Sequence, residues 1–230
     1  MKTAALLKTY IAIALIYLAL LLFGSDDLAW FLKPLLLPSL IAAVAASEKF
    51  PSKGLLLFAL LFSWFGDIVL LFAAKGEIYF IAGLVLFLSA HILYIVLFGK
   101  QPKVRSNKQK PWLFLGVLCI VGYLFSMLYV LFPNLGGLKI PVTVYAVVIS
   151  TMLLMSVKGF FEWKSPANYY ILVGAVCFIA SDSLLAFDKF YKAIPLSSFN
   201  IMSTYLAAQF FIAFGILQMA KKQVHLSEAV

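Results

Sequence analysis

The chain has 230 residues, 64% of them hydrophobic and only 12% charged, and carries a formal net charge of +9. So little polar material, with a mean hydropathy of +1.05, cannot coat a water-soluble domain of this length. Nor does the positive balance describe a nucleic-acid binder, because the densest basic stretch, KQPKVRSNKQK at 100–110, interleaves no aromatic residue on which a base could stack.

A helical bilayer crossing needs about 20 mostly apolar residues. Eight stretches qualify, in chain order 8–24, 28–46, 54–73, 78–98, 112–132, 140–158, 167–187 and 199–219. They use most of the chain, so the expectation is an all-α membrane protein of eight transmembrane helices, a single integral membrane domain over 1–230. Runs such as LIYLALLLF do not alternate apolar with polar and so are not barrel strands.

Span 1 follows only MKTAALLK, and no small-x-small cleavage site precedes the acidic pair Asp26–Asp27, so it reads as retained. Span 2 carries Lys33 and two bending prolines, Pro34 and Pro38. Span 3 contains FSWFGDIVLLF (62–72) and hence Asp67. In span 4, His91 shares a helix face with Tyr94. Span 5 is apolar, span 6 offers Tyr145, and span 7 contains CFIASDSLLAF (177–187) with Asp182. Asp188, Lys189 and Lys192 follow at its end, and Tyr205 and Gln209 share a face of span 8. Cys119 and Cys177 lie inside spans and read as small apolar packers.

With the N-terminus placed inside, thirteen of the 18 Lys and Arg fall on the cytoplasmic side and four (Lys75, Lys139, Lys189, Lys192) outside, while Lys33 lies in a span. This positive-inside imbalance predicts cytoplasmic termini, with anionic lipid as a secondary contact of the basic loop. Spans 2 and 6 then run inward and spans 3 and 7 outward. Lys33, Asp67, Tyr145 and Asp182 all fall at one level, roughly 7–9 Å below the outer boundary at about 1.5 Å per residue.

A repeat accompanies that level. Asp67 and Asp182 each follow a small residue (Gly66, Ser181), with Leu three later (Leu70, Leu185) and Phe five later (Phe72, Phe187). LKP (32–34) pairs with LKIP (138–141) one span earlier, and FLSAH (87–91) with YLAAQ (205–209) one span later. Spans 2–4 thus match spans 6–8 in a 4+4 parallel pseudo-repeat.

A charged side chain within a span costs about 2.5–3.5 kcal/mol on insertion scales, so it faces the bundle interior and has a role. For Asp67 and Asp182 that role is either chemical or a structural hydrogen bond or ion pair. Lys33 can snorkel to the surface, pair with a carboxylate or hold a lipid phosphate. His91, Tyr205 and Gln209 lie deeper and either line the site or hydrogen-bond between helices. Asp188, nearer the mouth, is a lesser candidate. A hydrolytic zinc ion wants three protein ligands in reach of one another. The one histidine in the spans lies too deep to join the aspartates, so neither a metal nor another cofactor is expected.

Several segments carry a likeness: LKPLLLP (32–38), FSWFGDIVLL (62–71), GLVLFLSAHILYIVLF (83–98), VTVYAVVISTM (142–152), GAVCFIASDSLLAFDKF (174–190) and STYLAAQFFI (203–212). Together they resemble the YhhN family of eight-span membrane proteins over nearly the whole chain after span 1. Gly66-Asp67 and Ser181-Asp182-x-Leu-Leu-Ala are the most specific matches. Characterised animal members are lysoplasmalogenases, which cleave the vinyl ether of lysoplasmalogens to a fatty aldehyde and glycerophosphoethanolamine or glycerophosphocholine. The resemblance implies that reaction here, with a lysophospholipid, water and membrane lipid as partners, in a bacterial inner membrane.

The chemistry suits the residues. Protonation of a vinyl ether at carbon gives an oxocarbenium ion, water adds, and the hemiacetal collapses to an aldehyde. A proton donor, a base and nearby negative charge are needed, and two carboxyl groups supply all three around the similar cation of glycosidases. Asp67 and Asp182 are therefore the expected catalytic pair, with Lys33, Tyr145, His91, Tyr205, Gln209 and Asp188 binding substrate. Paired intramembrane carboxylates also suit a proton- or cation-coupled transporter, which is the alternative. An intramembrane aspartyl protease is disfavoured, because Trp64-Phe65-Gly66-Asp67 lacks the first glycine of Gly-x-Gly-Asp. A structural or assembly subunit would tolerate Asp67→Asn.

Overall fold

The structure, a computed structural model, describes residues 2–103 and 110–227. Of the basic residues counted above, Arg105 and Lys108 lie outside the described residues, as do the side chains of Lys110 and Lys222. All regular structure among the described residues is helical. Eight helices are long and apolar enough to cross a membrane: Lys2–Leu22, Asp26–Ala45, Lys53–Leu70, Glu77–Gly99, Pro111–Asn134, Gly136–Glu162, Ala167–Phe190 and Ser197–Lys221. Each expected span has its helix, and span 1 begins six residues earlier than hydropathy suggested because Lys2 and Lys8 are accommodated in its first turns.

The helices are α1 (Lys2–Leu22), α2 (Asp26–Leu32), α3 (Leu36–Ala45), α4 (Lys53–Leu70), α5 (Glu77–Gly99), α6 (Lys110–Leu131), α7 (Lys139–Glu162), α8 (Ala167–Phe190) and α9 (Ser197–Ser227). They cluster into two compact units, one reaching to Leu97 and joined by the chain from Ala220, the other Phe98–Met219.

In the first unit α1 packs on α3 and α3 on α4. Helix α1 buries only Tyr10, Ala14 and Tyr17, a single stripe at helical spacing, and leaves Leu15 and Ile16 exposed as lipid-facing residues would be. A 3-10 turn, Lys33–Leu35, lies between α2 and α3 in the second span, with Leu32, Lys33, Leu35 and Leu36 all keeping right-handed helical backbone angles. The prolines explain it. Pro34 has no N–H for the carbonyl of Trp30, and Pro38 has none for that of Pro34. The orphaned Pro34 carbonyl instead accepts the Trp64 indole N–H of α4 at 2.8 Å, which meets the rule that no backbone group stays unsatisfied in a bilayer. Beside Asp67, Gly66 lets α5 close on α4: a Cβ there would lie 2.7 Å from the Phe87 ring.

In the second unit α7 packs on α6 and α8, and glycines again set the approach of α8 and α9. A Cβ on Gly174 would fall 2.8 Å from the Ile212 backbone nitrogen, and one on Gly215 would fall 2.6 Å from Ile171 Cγ1. Ser181 Oγ donates to the Ile201 carbonyl at 3.0 Å, tying the residue before Asp182 to α9. Helix α6 turns Phe114, Leu118, Phe125 and Tyr129 outward.

Candidate active site

Each unit holds one of the two candidate catalytic carboxyl groups, Asp67 in the first and Asp182 in the second. In the first, α4 points Ser63, Gly66 and Asp67 inward along one face, and Asp67 is only 2% exposed. Lys33 in the 3-10 turn lies within electrostatic reach of Asp67, as do Tyr10 and Tyr17 on the α1 stripe. Tyr10 also reaches Tyr94 of α5. The Asp67 carboxyl thus has an amine and two phenols within electrostatic reach.

In the second unit the Tyr145 hydroxyl donates to Asp182 Oδ2 at 2.5 Å. Next to it, Tyr123 and Ser183 are hydrogen-bonded, and Ser183 Oγ donates to the Ile179 carbonyl. That bond uses Ser183's one proton, so the Tyr123 hydroxyl is the donor to Ser183. Tyr123 also lies within electrostatic reach of Asp182.

These groups face a small, half-open cleft between α6, α7 and α8. Helix periodicity builds it. Tyr145 and Ile149, with Ala146 and Ser150 beside them, come from α7, and Ile179, Asp182, Ser183 and Ala186 from one face of α8. Tyr123, Tyr145, Ser150, Asp182 and Ser183 are its polar members, the remaining wall being apolar. One end is closed by Leu131, Leu135 and Val142, packed against Met127, Ala186 and Phe190.

Lys33 lies within electrostatic reach of Asp67, and Tyr145 is hydrogen-bonded to Asp182. His91 is fully buried on α5. Tyr205 and Gln209 are buried on α9, the Tyr205 ring edge-on to Phe178 at 5.6 Å, and neither lines the cleft. Asp188 Oδ1 accepts the Ile194 N–H at 2.8 Å, which pins the turn between α8 and α9. Tyr10, Tyr17, Tyr123, Ser150 and Ser183 were not anticipated from sequence. The seven-residue spacing of Tyr10 and Tyr17 on an otherwise apolar helix was the available signal for α1, whereas nothing in span 5 marked the face of Tyr123.

A carboxylate with a phenol donor, set in an apolar cleft, can take or deliver a proton and can steady a nearby cation strongly, because little water screens it. Among the described residues no group of three or more His, Cys, Asp and Glu side chains could hold a metal ion.

Known proteins resemble this chain along most of its length. Residues 28–216 match the model of the YhhN family. A Bos taurus protein named Lysoplasmalogenase TMEM86A is 32% identical over 183 residues, 73% of this chain and 67% of the relative. The Homo sapiens protein named Lysoplasmalogenase TMEM86B is 33% identical over 198 residues, 84% and 78% of the two chains. A Mycobacterium bovis protein named Lysoplasmalogenase is 32% identical over 138 residues, 59% and 50%. No solved structure matches.

Proposed function

The chain belongs to the YhhN family, and on that premise we propose that it is a lysoplasmalogenase, a multi-pass membrane hydrolase that cleaves the vinyl ether of a lysoplasmalogen to a fatty aldehyde and a glycerophospho-base. The observation that carries this reading is the likeness to mammalian and mycobacterial relatives that bear the lysoplasmalogenase name. The apolar cleft with Asp182 in its wall supports it, since an alkenyl chain needs an apolar bed and its ether needs a proton source.

Asp67 and Asp182 carry the reaction, one as acid and one as base. The acid protonates the vinyl carbon remote from oxygen, and the double bond becomes an oxocarbenium ion. Water adds to the cationic carbon and gives its proton to the base, forming a hemiacetal. The protonated base then gives its proton to the glycerol oxygen as that C–O bond breaks, the hemiacetal hydroxyl returns its proton to the spent acid, and the aldehyde is left. One water is consumed, and both carboxyl groups return to their starting states. Tyr145 orients Asp182, and Lys33 binds the substrate's phosphate or holds Asp67 ionised. His91, Tyr205 and Gln209 support the site from deeper in the membrane.

The protein sits in a bacterial inner membrane with both termini cytoplasmic, a reading supported by the distribution of Lys and Arg. The paired motifs around Asp67 and Asp182 support a 4+4 pseudo-repeat. One observation favours transport instead: the 3-10 turn in the second span, with Lys33 in it, is an irregularity of the kind ion-coupled carriers use. Aldehyde release by the purified protein in detergent, where no gradient exists, separates the two readings.

A further inference from the structure

Where α4 ends, the first unit gathers aromatic rings around a cation. Phe72 follows α4, and its carbonyl accepts the Lys75 N–H at 2.8 Å, which closes the 3-10 turn Ala73–Lys75. The turn lays the Lys75 stem back over the Phe72 ring, with Nζ 4.9 Å from the ring centroid. Trp30 of α2 stands almost perpendicular to Phe72, at 86° with the centroids 6.0 Å apart. Tyr79, at the start of α5, lies on Phe72 at 6.1 Å. Trp30, Tyr79 and Lys75 are exposed and Phe72 is half-buried, so a ligand can reach the group. An aromatic face attracts a cation within about 6 Å of its centroid, and this corner already holds one.

We propose that the corner of Trp30 and Phe72 is the subsite for a quaternary ammonium head group, an inference that rests on the lysoplasmalogenase reading and narrows its substrate to the choline class. The spacing fits. Trp30 precedes Lys33 by three residues, about 4.5 Å of helical rise, so a phosphate on Lys33 leaves the nitrogen, two carbons further on, beside Trp30. Asp67 lies five residues before Phe72, about 7.5 Å along the axis, which leaves the glycerol between the rings and the carboxyl group. The chemistry selects among head groups. A primary ammonium has three N–H groups to satisfy, and ring faces serve them less well than water does. A trimethylammonium has no N–H group and is held well by aromatic faces. Lys75 is the resident cation, and its exposed, flexible stem lets the head group displace it.

Equilibrium binding to the whole chain in maltoside detergent tests this. The probes are saturated alkyl ethers of glycerophosphocholine and glycerophosphoethanolamine, which lack the vinyl ether and differ only in the methyl groups on nitrogen. The choline ether binds about tenfold tighter than the ethanolamine ether, the worth of a partly desolvated cation on a ring face. Phe72→Leu and Trp30→Leu each cut that preference to about twofold, because an aliphatic side chain fills the space without a ring face. Lys75→Gln acts the other way: with the resident cation gone, the choline ether binds about threefold tighter, a gain that no loss of folding could produce. Rings that only anchor the chain at a membrane interface would be blind to the head group. Equal affinity for the two probes, a preference kept in Phe72→Leu, or weaker choline binding in Lys75→Gln overturns the subsite. So does competition by free choline at the concentration of the ether, which would make the corner a site for the free base. Head-group preference in a protein that releases no aldehyde from a choline lysoplasmalogen upholds the subsite and overturns the lysoplasmalogenase reading alone.

Discussion

The Tyr145 hydroxyl donates to Asp182 Oδ2 across 2.5 Å, joining α7 to α8 within a largely apolar wall. A charge-assisted bond of this kind is worth about 1.5–3 kcal/mol. Tyr145→Phe removes the donor without changing the ring, so aldehyde release should fall about tenfold to a hundredfold. Initial rates with a choline lysoplasmalogen measure this, and a fully active Tyr145→Phe would deny the phenol its orienting role.

Asp67→Asn and Asp182→Asn keep side-chain size and remove the ability to exchange a proton. Each should lower turnover by at least about a hundredfold, with helical circular dichroism and elution volume unchanged. If either variant runs at the wild-type rate, that carboxylate has no part in the chemistry.

Lys33→Ala should raise KM about tenfold and leave kcat nearly intact, the signature of lost uniform binding. A fall in kcat instead would assign Lys33 to the charge state of Asp67, within whose field it lies. Unchanged kinetics would mean that its ammonium snorkels to the surface.

The Trp64 indole serves a carbonyl that Pro38 cannot. Trp64→Phe should therefore destabilise the protein by about 1–3 kcal/mol, the cost of an unmet buried carbonyl. Pro38→Ala supplies a backbone N–H one turn along, so the double variant should recover most of that loss. Thermal melts of the four proteins form a cycle, and strictly additive shifts would contradict this account of the turn.

Much of this was legible in the sequence. The eight spans were, because the thickness of the bilayer demands a long apolar run for each. Depth counting put Lys33, Asp67, Tyr145 and Asp182 at one level, since a rise of about 1.5 Å per residue converts position into height, but it did not say which of them pair. Other features were not. Pro34 and Pro38 announced a bend, but not that Trp64, thirty residues away, would serve the Pro34 carbonyl. Hydropathy hardly distinguishes an inward tyrosine from an interfacial one, so Tyr10, Tyr17 and Tyr123 stayed silent. Ser150 was invisible for a different reason: any helical serine can bond to its own backbone, and only the coordinates show that this one does not.

Hydrolysis itself is the most direct test. The purified protein in detergent is given a lysoplasmalogen, and the aldehyde is followed by coupled reduction, with the saturated alkyl lysolipid as control. The account predicts aldehyde in equal molar amount with the released glycerophospho-base, none from the saturated ether, and none with Asp182→Asn. A folded wild-type protein that yields no aldehyde from choline or ethanolamine lysoplasmalogen would contradict it.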